Sequence, residues 1–335
     1  MQLSDLEEID TKNMHKTYDQ WPEIAEKSFL KNVKKFESKD IDHIIFCGMG
    51  GSGSIGDILT AILSTTNIHV TNVKGYLLPK TIDDKTVVIC ISISGNTQET
   101  LSVLESTKKK SCKVLAFSSG GKMKEYSTNN NIPYYEIPQM HSPRASLPSF
   151  LYCIINVLQY FLPITKDGIV QSIENLKKTR ETISSGNLNS DNLSLVLAKW
   201  IDNFPVIYYP NGLQSVAIRF KNSLQENSKL HVIAEDAIEA CHNGIVAWER
   251  RTNGQPILLQ GIDDYTKTKE RWEILKEYFI KSKIDFQEVY SVKGNILSKI
   301  INLIYILDYC SIYHAVLSKI DPSPVKSIDF IKEKI

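Results

Sequence analysis

The sequence lacks the features that mark several specialised classes of protein. Its six cysteines form no CxxC pair and have no metal-ligand spacing with histidine, which favours reduced and mostly buried thiols. The opening residues MQLSDLEEID have neither a basic flank nor an apolar core, and no run reaches the roughly 18 apolar residues of a membrane-spanning helix. We therefore expect a cytoplasmic protein that does not associate with membranes.

An excess of either charge is also missing. Lys and Arg total 39 against 38 Asp and Glu, so the formal net charge is +1 and no global positive field favours nucleic acid as a partner. A local anion site remains compatible with this balance. The sequence contains no HxH or HExxH motif and no cluster of carboxylates, so we expect no metal ion and no other cofactor.

The length indicates two domains, because 335 residues exceed what one hydrophobic core usually sustains. The polar stretch 184–190 (SSGNLNS) suits a linker, so we predict one domain over residues 1–185 and a second over 186–335. Within the first domain, residues 1–40 carry apolar side chains at helical spacing and are predicted to form a helical brace.

The first half has the pattern of an α/β fold. The apolar run His43–Cys47 precedes the glycine-rich segment GMGGSGSIG (48–56) and a helix. A second apolar run, Thr86–Ile91, precedes the turn SISGNT (92–97) and an amphipathic helix over Gln98–Lys110. Strands that alternate with helices indicate a doubly wound, mainly parallel sheet flanked by helices.

The second half repeats this plan. A strand at Pro205–Tyr209 is followed by a helix over Leu213–Glu226, and a strand at Pro256–Gly261 is followed by a helix over Lys267–Lys281. The chain therefore should contain two copies of one α/β architecture.

The two copies differ in the turn that follows their second apolar strand. The first copy places Ser92, Ser94 and Thr97 beside the unpaired amides of a helix N-terminus, an arrangement that binds phosphate. The second copy places Asp263 and Asp264 there, and carboxylates repel an anion. We therefore expect one anion site per chain, in the first half.

Both turns of the first half also have purely structural interpretations. The GxGxxG pattern at 48–53 could serve only to pack a helix against a strand, and Asn96 or Thr97 could simply cap the helix that follows. A dinucleotide site is disfavoured, because it needs an acidic residue about 20 positions after the glycines. No Asp or Glu occurs between Asp57 and Asp83.

The motifs GMGGSG and SISGNTQET together resemble those of the SIS (sugar isomerase) fold family. Within that family the chain is similar to the bifunctional phosphoglucose/phosphomannose isomerases. The resemblance covers nearly the whole chain, and further motifs in the same order are PRASL (143–147), LQENSK (224–229), EACHN (239–243) and IDFIK (328–332).

This resemblance implies an enzyme that interconverts glucose 6-phosphate and fructose 6-phosphate by proton transfer through an enediolate, and it implies mannose 6-phosphate as a further substrate. It also implies two SIS-type domains, a homodimer, a hexose 6-phosphate as the ligand and no metal. The residues that match the phosphate contacts of the family are Gly50, Gly51, Ser52, Ser92, Ser94 and Thr97.

Four residues match catalytic positions of the family. Glu226 matches the base that moves the proton between C1 and C2, and Arg144 matches the cation beside the developing enediolate oxygen. His242 matches the histidine that opens the sugar ring and that comes from the neighbouring subunit. Lys332 matches a lysine near the sugar, with Lys334 as a close alternative. Without the resemblance, Glu226 would be interpreted as a solvated helix residue, Arg144 as part of a surface ion pair, and His242 as a capping or core histidine.

The main alternative is a non-catalytic sugar-phosphate sensor, because the same fold also serves as a binding module. A transcriptional sensor would need a DNA-binding domain, and the roughly 40 residues before the first strand contain no basic recognition helix.

Two positions bear on details of the site. Ser323 is a candidate for orienting a water when the mannose epimer is the substrate, and Pro148 could shift the helix next to Arg144.

Overall fold

The computed structural model describes residues 1–334, and their strands form two sheets in which every neighbouring pair of strands is parallel. Parallel strands need crossover connections, which the alternating helices supply. The expected fold class, with two doubly wound α/β domains, is confirmed.

The N-terminal sheet has five strands, β1 (His43–Cys47), β2 (His69–Val73), β3 (Thr86–Ser92), β4 (Lys113–Ser118) and β5 (Tyr134–Glu136). Their order is β2-β1-β3-β4-β5. β1 and β3 are buried along their whole length, which explains their continuous apolar sequences. The helices of this half are α3 (Trp21–Phe29), α4 (Gly50–Leu63), α5 (Gln98–Ser106), α6 (Gly121–Asn129) and α7 (Leu147–Val157).

The C-terminal sheet has the strands β6 (Phe204–Tyr209), β7 (Ile233–Asp236), β8 (Gly254–Gln260) and β9 (Gln287–Tyr290), in the order β7-β6-β8-β9. This order repeats that of β1 to β4, as expected for two copies of one architecture. The helices of this half are α9 (Leu193–Trp200), α10 (Gln214–Ser223), α11 (Ala237–Ala240), α12 (Thr266–Lys281), α13 (Ile296–Leu317) and α14 (Lys326–Lys332).

The chain divides into two units that do not follow the expected boundary. One unit is contiguous, Gln20–Ile173, and the other joins Met1–Asp19 to the residues from Glu174 onward. The division falls inside α8 (Lys166–Ile183) rather than near residue 185. It also separates α1 (Leu3–Ile9) and α2 (Met14–Asp19) from α3, so the expected brace over residues 1–40 is shared between the units.

Helix α13 is not apparent from the sequence pattern. By length and composition it could cross a membrane, with a mean hydropathy of 1.5, but 94% of its most apolar window is buried inside the protein. It was not recognised as an apolar run because Lys299, Asp308 and His314 interrupt it. Helices α2, α9 and α10 pack around it, so it is a core helix that is apolar on nearly all sides.

A buried ion pair joins three of these helices. The carboxylate of Asp308 on α13 is fully buried and accepts hydrogen bonds from Arg219 Nη2 at 2.7 Å, Ser223 Oγ at 2.6 Å and Tyr18 Oη at 3.1 Å. Burial disfavours the charge of Arg219, but the attraction of Asp308 outweighs this effect, and the pKa of Arg219 is raised. The network therefore ties α2 and α10 to α13.

Three tyrosines on successive turns of α13 strengthen the attachment of neighbouring segments. Tyr305 Oη donates to the carbonyl of Tyr18 at 2.8 Å, and Tyr313 Oη donates to the carbonyl of Ile183 at 2.6 Å. Tyr309 Oη donates to the carboxylate of Asp19. The first 19 residues are thus held to α13 by several buried polar contacts.

Replacing the buried carboxylate should strongly destabilise the C-terminal unit. Asp308→Ala leaves the guanidinium of Arg219 buried without its partner, and we expect a loss of about 3–5 kcal/mol in the free energy of unfolding. Denaturant unfolding measures this change. The control is Asp263→Ala, because Asp263 forms a 3.2 Å ion pair with Lys299 but is 55% exposed. That pair should be worth about 1 kcal/mol or less. Equal losses in the free energy of unfolding of the two variants would contradict the importance of the buried Asp308 network.

Candidate functional site

The glycine-rich turn places the start of α4 directly after β1. A Cβ atom at Gly53 would lie 2.9 Å from the carbonyl oxygen of Gly48, and one at Gly56 would lie 2.8 Å from Asn72 Oδ1, so both positions need glycine for close packing. Gly50 differs, because its φ is +52° and no atom lies within 4 Å of where its Cβ would be. Gly53 and Gly56 therefore have the structural role of packing the helix closely, whereas the backbone at Gly50 is open.

The serine-rich turn after β3 is held by its own side chains. Ser92 is fully buried, and its hydroxyl donates to Thr97 Oγ1 at 3.0 Å. Ser94 is exposed, and its hydroxyl accepts a hydrogen bond from the backbone amide of Asn96 at 3.2 Å. Thr97 occupies the N-cap position of α5 but its side chain makes no capping bond. Asn96 instead accepts a hydrogen bond from the amide of Lys122 at 3.0 Å.

These contacts disfavour the simple interpretation of SISGNT as a helix cap. The first-turn amides of α5 receive no hydrogen bond from the side chain of Thr97 at the N-cap position. The positive end of the helix dipole favours an anion at this position. The exposed Ser94 and the half-buried Thr97 can add hydroxyl donors, whereas Ser92 acts mainly by supporting Thr97.

The two turns are joined to each other. The backbone amide of Ile93 donates to Ser52 Oγ at 3.2 Å, across the carboxyl ends of the adjacent strands β1 and β3. The chain leaves β1 toward β2 on one side and later returns to β3 on the other. This is the point in an open parallel sheet where ligands bind.

Arg144 lies next to the same turns. A Cβ atom at Gly51 would be 3.3 Å from the carbonyl oxygen of Pro143 and 3.7 Å from the Cα of Arg144, so the backbone of residues 143–144 passes directly over the glycine turn. Arg144 begins a short 3-10 turn before α7 and is 5% exposed. Pro148 occupies the first turn of α7, where proline is tolerated, so it does not disrupt this helix.

The equivalent turn of the C-terminal unit is filled by its own carboxylate. Asp264 Oδ2 accepts hydrogen bonds from the amide of Gly261 at 3.0 Å and from Trp272 Nε1 at 3.1 Å. Asp263 pairs with Lys299. An internal carboxylate thus occupies the turn that precedes α12, which accords with a single anion site in the other unit.

Glu226 lies in an unusual segment of helix. Residues Leu224–Ser228 form a π-helical turn at the end of α10, and Lys229 ends it in the left-handed conformation with φ +57°. Lys229 Nζ donates to the carbonyl oxygens of Glu226 at 2.5 Å and Pro324 at 2.7 Å. The segment that contains Ser323 therefore lies beside the turn that carries Glu226.

The side chain of Glu226 is half-buried, and its charge affects the pKa of Arg219. Burial has the largest effect on Arg219 and lowers its pKa. Asp308 and Tyr18 raise the pKa and outweigh burial, with a smaller contribution from the carboxylate of Glu226. Arg219 precedes Glu226 by two helical turns. Neither Arg219 nor Asp308 was predicted as part of the site; the spacing of Arg219 from Glu226 was the available signal.

His242 and Glu226 lie at opposite ends of the strands in their sheet. Helix α10 runs back from the carboxyl end of β6, so the π turn leads into the amino end of β7, where Ile233 is aligned with Val206. His242 follows α11, which begins after Asp236 at the carboxyl end of β7. His242 is exposed, and the topology does not bring it to Glu226 of the same chain.

Lys332 ends α14 and is exposed. The alternative, Lys334, places its ammonium group 5.7 Å from the centre of the Phe330 ring. The geometry of this helix does not distinguish between the two lysines as sugar contacts.

Among residues 1–334, no group of three or more His, Cys, Asp or Glu side chains could hold a metal ion.

Comparison with known proteins gives matches to two family models and to full-length relatives. Residues 38–133 match the SIS domain, and residues 190–335 match the bacterial phospho-glucose isomerase C-terminal SIS domain. The chain is 32% identical to a bifunctional phosphoglucose/phosphomannose isomerase of Caldicellulosiruptor bescii, with 94% of this chain and 96% of the relative covered. It is 33% identical to an enzyme of the same name from Aquifex aeolicus, over 87% and 90% of the two chains.

Solved structures agree on the fold. The C-terminal domain of glucosamine-fructose-6-phosphate aminotransferase from Francisella tularensis superposes with a TM-score of 0.67 at 16% identity. The match covers 91% of this chain and 96% of that one. At this identity the likeness concerns the arrangement of helices and strands alone.

The serine-rich turn should not tolerate a side chain at Gly95. Its φ is +72°, and a Cβ atom would lie 1.9 Å from the carbonyl oxygen of Gly120. Gly95→Ala should therefore reduce the free energy of unfolding by about 2 kcal/mol or more. Gly75→Ala is the control, since no atom lies within 4 Å of its Cβ position and no unusual φ is required. It should change stability by about 0.5 kcal/mol at most. Similar denaturation midpoints for the two variants would contradict the described turn.

Proposed function

The chain belongs to the family of bifunctional phosphoglucose/phosphomannose isomerases, and from this premise we propose that it interconverts glucose 6-phosphate and mannose 6-phosphate with fructose 6-phosphate. The observation that carries this proposal is the likeness to enzymes of that name over 94% of the chain and 96% of the relative. A purely sensory role is not favoured, because such relatives are named as enzymes and match both halves of the chain.

We assign the phosphate of the substrate to the joined turns of the N-terminal unit. The hydroxyls of Ser94 and Thr97 offer neutral donors beside the N-terminus of α5, while Ser52 fixes one turn against the other. The open backbone at Gly50 leaves room for the ligand, and Gly51 lets residues 143–144 approach closely. Arg144, whose backbone passes over the glycine turn, is proposed to supply the cation for the enediolate oxygen.

Glu226 is proposed to act as the base. In the open-chain aldose phosphate its carboxylate takes the proton from C2, which breaks the C2–H bond and forms an enediolate. The hydroxyl proton moves from O2 to O1, and Glu226 returns its proton to C1 to give the ketose. If the enediolate rotates about its C2–C3 bond, the opposite face of C2 turns toward Glu226, which then returns the same proton there to give the other epimer, so mannose 6-phosphate needs no second acid. Ser323 is our candidate for orienting a water in that step, because Lys229 connects its segment to the turn of Glu226.

A homodimer is part of the proposal. His242 is proposed to open the sugar ring in the site of the neighbouring subunit, and its location at the opposite end of β7 from Glu226 supports this arrangement. Lys332 is proposed to contact the sugar from the exposed end of α14. A cytoplasmic location is also proposed; α13, the helix with the length and composition of a membrane span, is buried in the core.

A coupled assay tests the activity and the base together. Fructose 6-phosphate formation is followed from glucose 6-phosphate and separately from mannose 6-phosphate, with chelator present, for the wild type and Glu226→Gln. We expect turnover of both sugars, and a loss of at least ~100-fold in kcat for Glu226→Gln because the amide cannot accept the proton.

Glu270→Gln is the matched control, because Glu270 lies in the same unit in an exposed pair with Lys267 and should keep full activity. Turnover of glucose 6-phosphate alone would narrow the function to one isomerase. Binding of both sugars without turnover would refute the enzymatic proposal and leave the sensor.

Complementation tests the shared site. Glu226→Gln and His242→Ala should each be inactive as homodimers. A heterodimer purified with two different tags contains one site with both changes and one site with neither, so it should recover about half of the wild-type activity in a two-fold symmetric dimer. If Glu226 and His242 acted within one chain, every site of the heterodimer would be defective and no activity would return.

A further inference from the structure

The π turn that carries Glu226 is an uncommon piece of structure. Helix α10 is regular up to Ser223 and then widens over Leu224–Ser228 before Lys229 ends it. Single π turns inside helices are rare and often occur at functional sites. What holds this turn in place therefore bears directly on where the carboxylate of Glu226 points.

Two consecutive residues of the π turn are bonded to one residue of α13. Asn227 is fully buried, and its Nδ2 donates to Ser311 Oγ at 2.8 Å. Ser228 Oγ donates to the carbonyl oxygen of Ser311 at 2.9 Å. The hydroxyl of Ser311 in turn donates to the carbonyl of Asp308 at 2.6 Å. Ser311 itself is fully buried, so these bonds are shielded from water.

Glu226 directly precedes this anchored pair. Since Asn227 and Ser228 both bond to the same residue of α13, rotation of the turn about the helix axis would break at least one of the two bonds. The bond from Asn227 depends on the side chain of Ser311, whereas the bond from Ser228 depends only on its backbone carbonyl. Removing the Ser311 hydroxyl thus loosens the turn without detaching it.

We propose that Ser311 is a positioning residue for the isomerase reaction: through Asn227 it holds the π turn in the geometry that directs the carboxylate of Glu226 to the C1–C2 region of the substrate. This inference rests on the proposed role of Glu226. Ser311 touches no substrate, so its loss should affect the proton-transfer step and not the binding of the phosphate, which is assigned to the other unit.

The test compares Ser311→Ala with Ser298→Ala. Both serines are fully buried on α13, but the hydroxyl of Ser298 has no hydrogen-bond partner among residues 1–334. We expect Ser311→Ala to lower kcat by about 10-fold to 100-fold, because small displacements of a reacting group have effects of this size. KM should stay within about 2-fold of the wild type and the melting temperature should change little more than in Ser298→Ala, whose kcat should be normal.

A double-mutant cycle separates positioning from a general loss of packing. Asn227→Ala should also lower kcat, and the double variant should lose no more than the more impaired single variant, because each single change already removes the bond between Asn227 and Ser311. Unchanged kcat in Ser311→Ala, an equal fall in Ser298→Ala, or additive losses in the double variant would overturn the inference. Wild type and Glu226→Gln are assayed alongside. An active wild type and an inactive Glu226→Gln, together with an active Ser311→Ala, would refute the positioning role alone.

Discussion

The carboxylate of Asp308 is the group on which the C-terminal unit depends. A charge without access to water is costly unless partners surround it, and here a guanidinium, a serine hydroxyl and a tyrosine hydroxyl from two other helices supply them. Because those partners lie on α2 and α10, their bonds to the single carboxylate of Asp308 hold both helices against α13. The π turn continues directly from α10, so the position of Glu226 is set by the same core.

The two sheets show how one architecture can support different tasks. Both use the same strand order, yet the N-terminal copy places the hydroxyls of Ser94 and Thr97 at its turn, while the C-terminal copy fills its turn with the carboxylate of Asp264. In the C-terminal copy the carboxylate of Asp264 already occupies the turn, bonded to Gly261 and Trp272, and it would repel an anion from solution. In our proposal the C-terminal copy instead contributes Glu226, which lies at a helix end away from its own turn.

Much of the fold was predictable because its signals are local. Strands β1, β3, β6 and β8 are central and buried, so each forms an apolar run that is visible in the sequence, and the turns that follow them could be identified from composition. The edge strands β2 and β7 are only partly buried and lack such a run, so they were missed. Helix α13 has neither signal, because Lys299, Asp308 and His314 interrupt its apolar run and a helix surrounded by protein has no polar face to reveal its period. The bonds from Asp308 to Arg219 and Tyr18 span 89 and 290 positions, which no local pattern encodes.

The discontinuous unit has a consequence for how the chain is made. Residues 20–173 form a contiguous unit, but residues 1–19 belong with a helix that begins at Ile296. Tyr18 precedes its partners Asp308 and Tyr305 on α13 by 290 and 287 positions. During translation, the sides of α1 and α2 that contact α13 therefore stay uncovered until α13 has been synthesised. A segment that is made before the contiguous unit is thus enclosed after it.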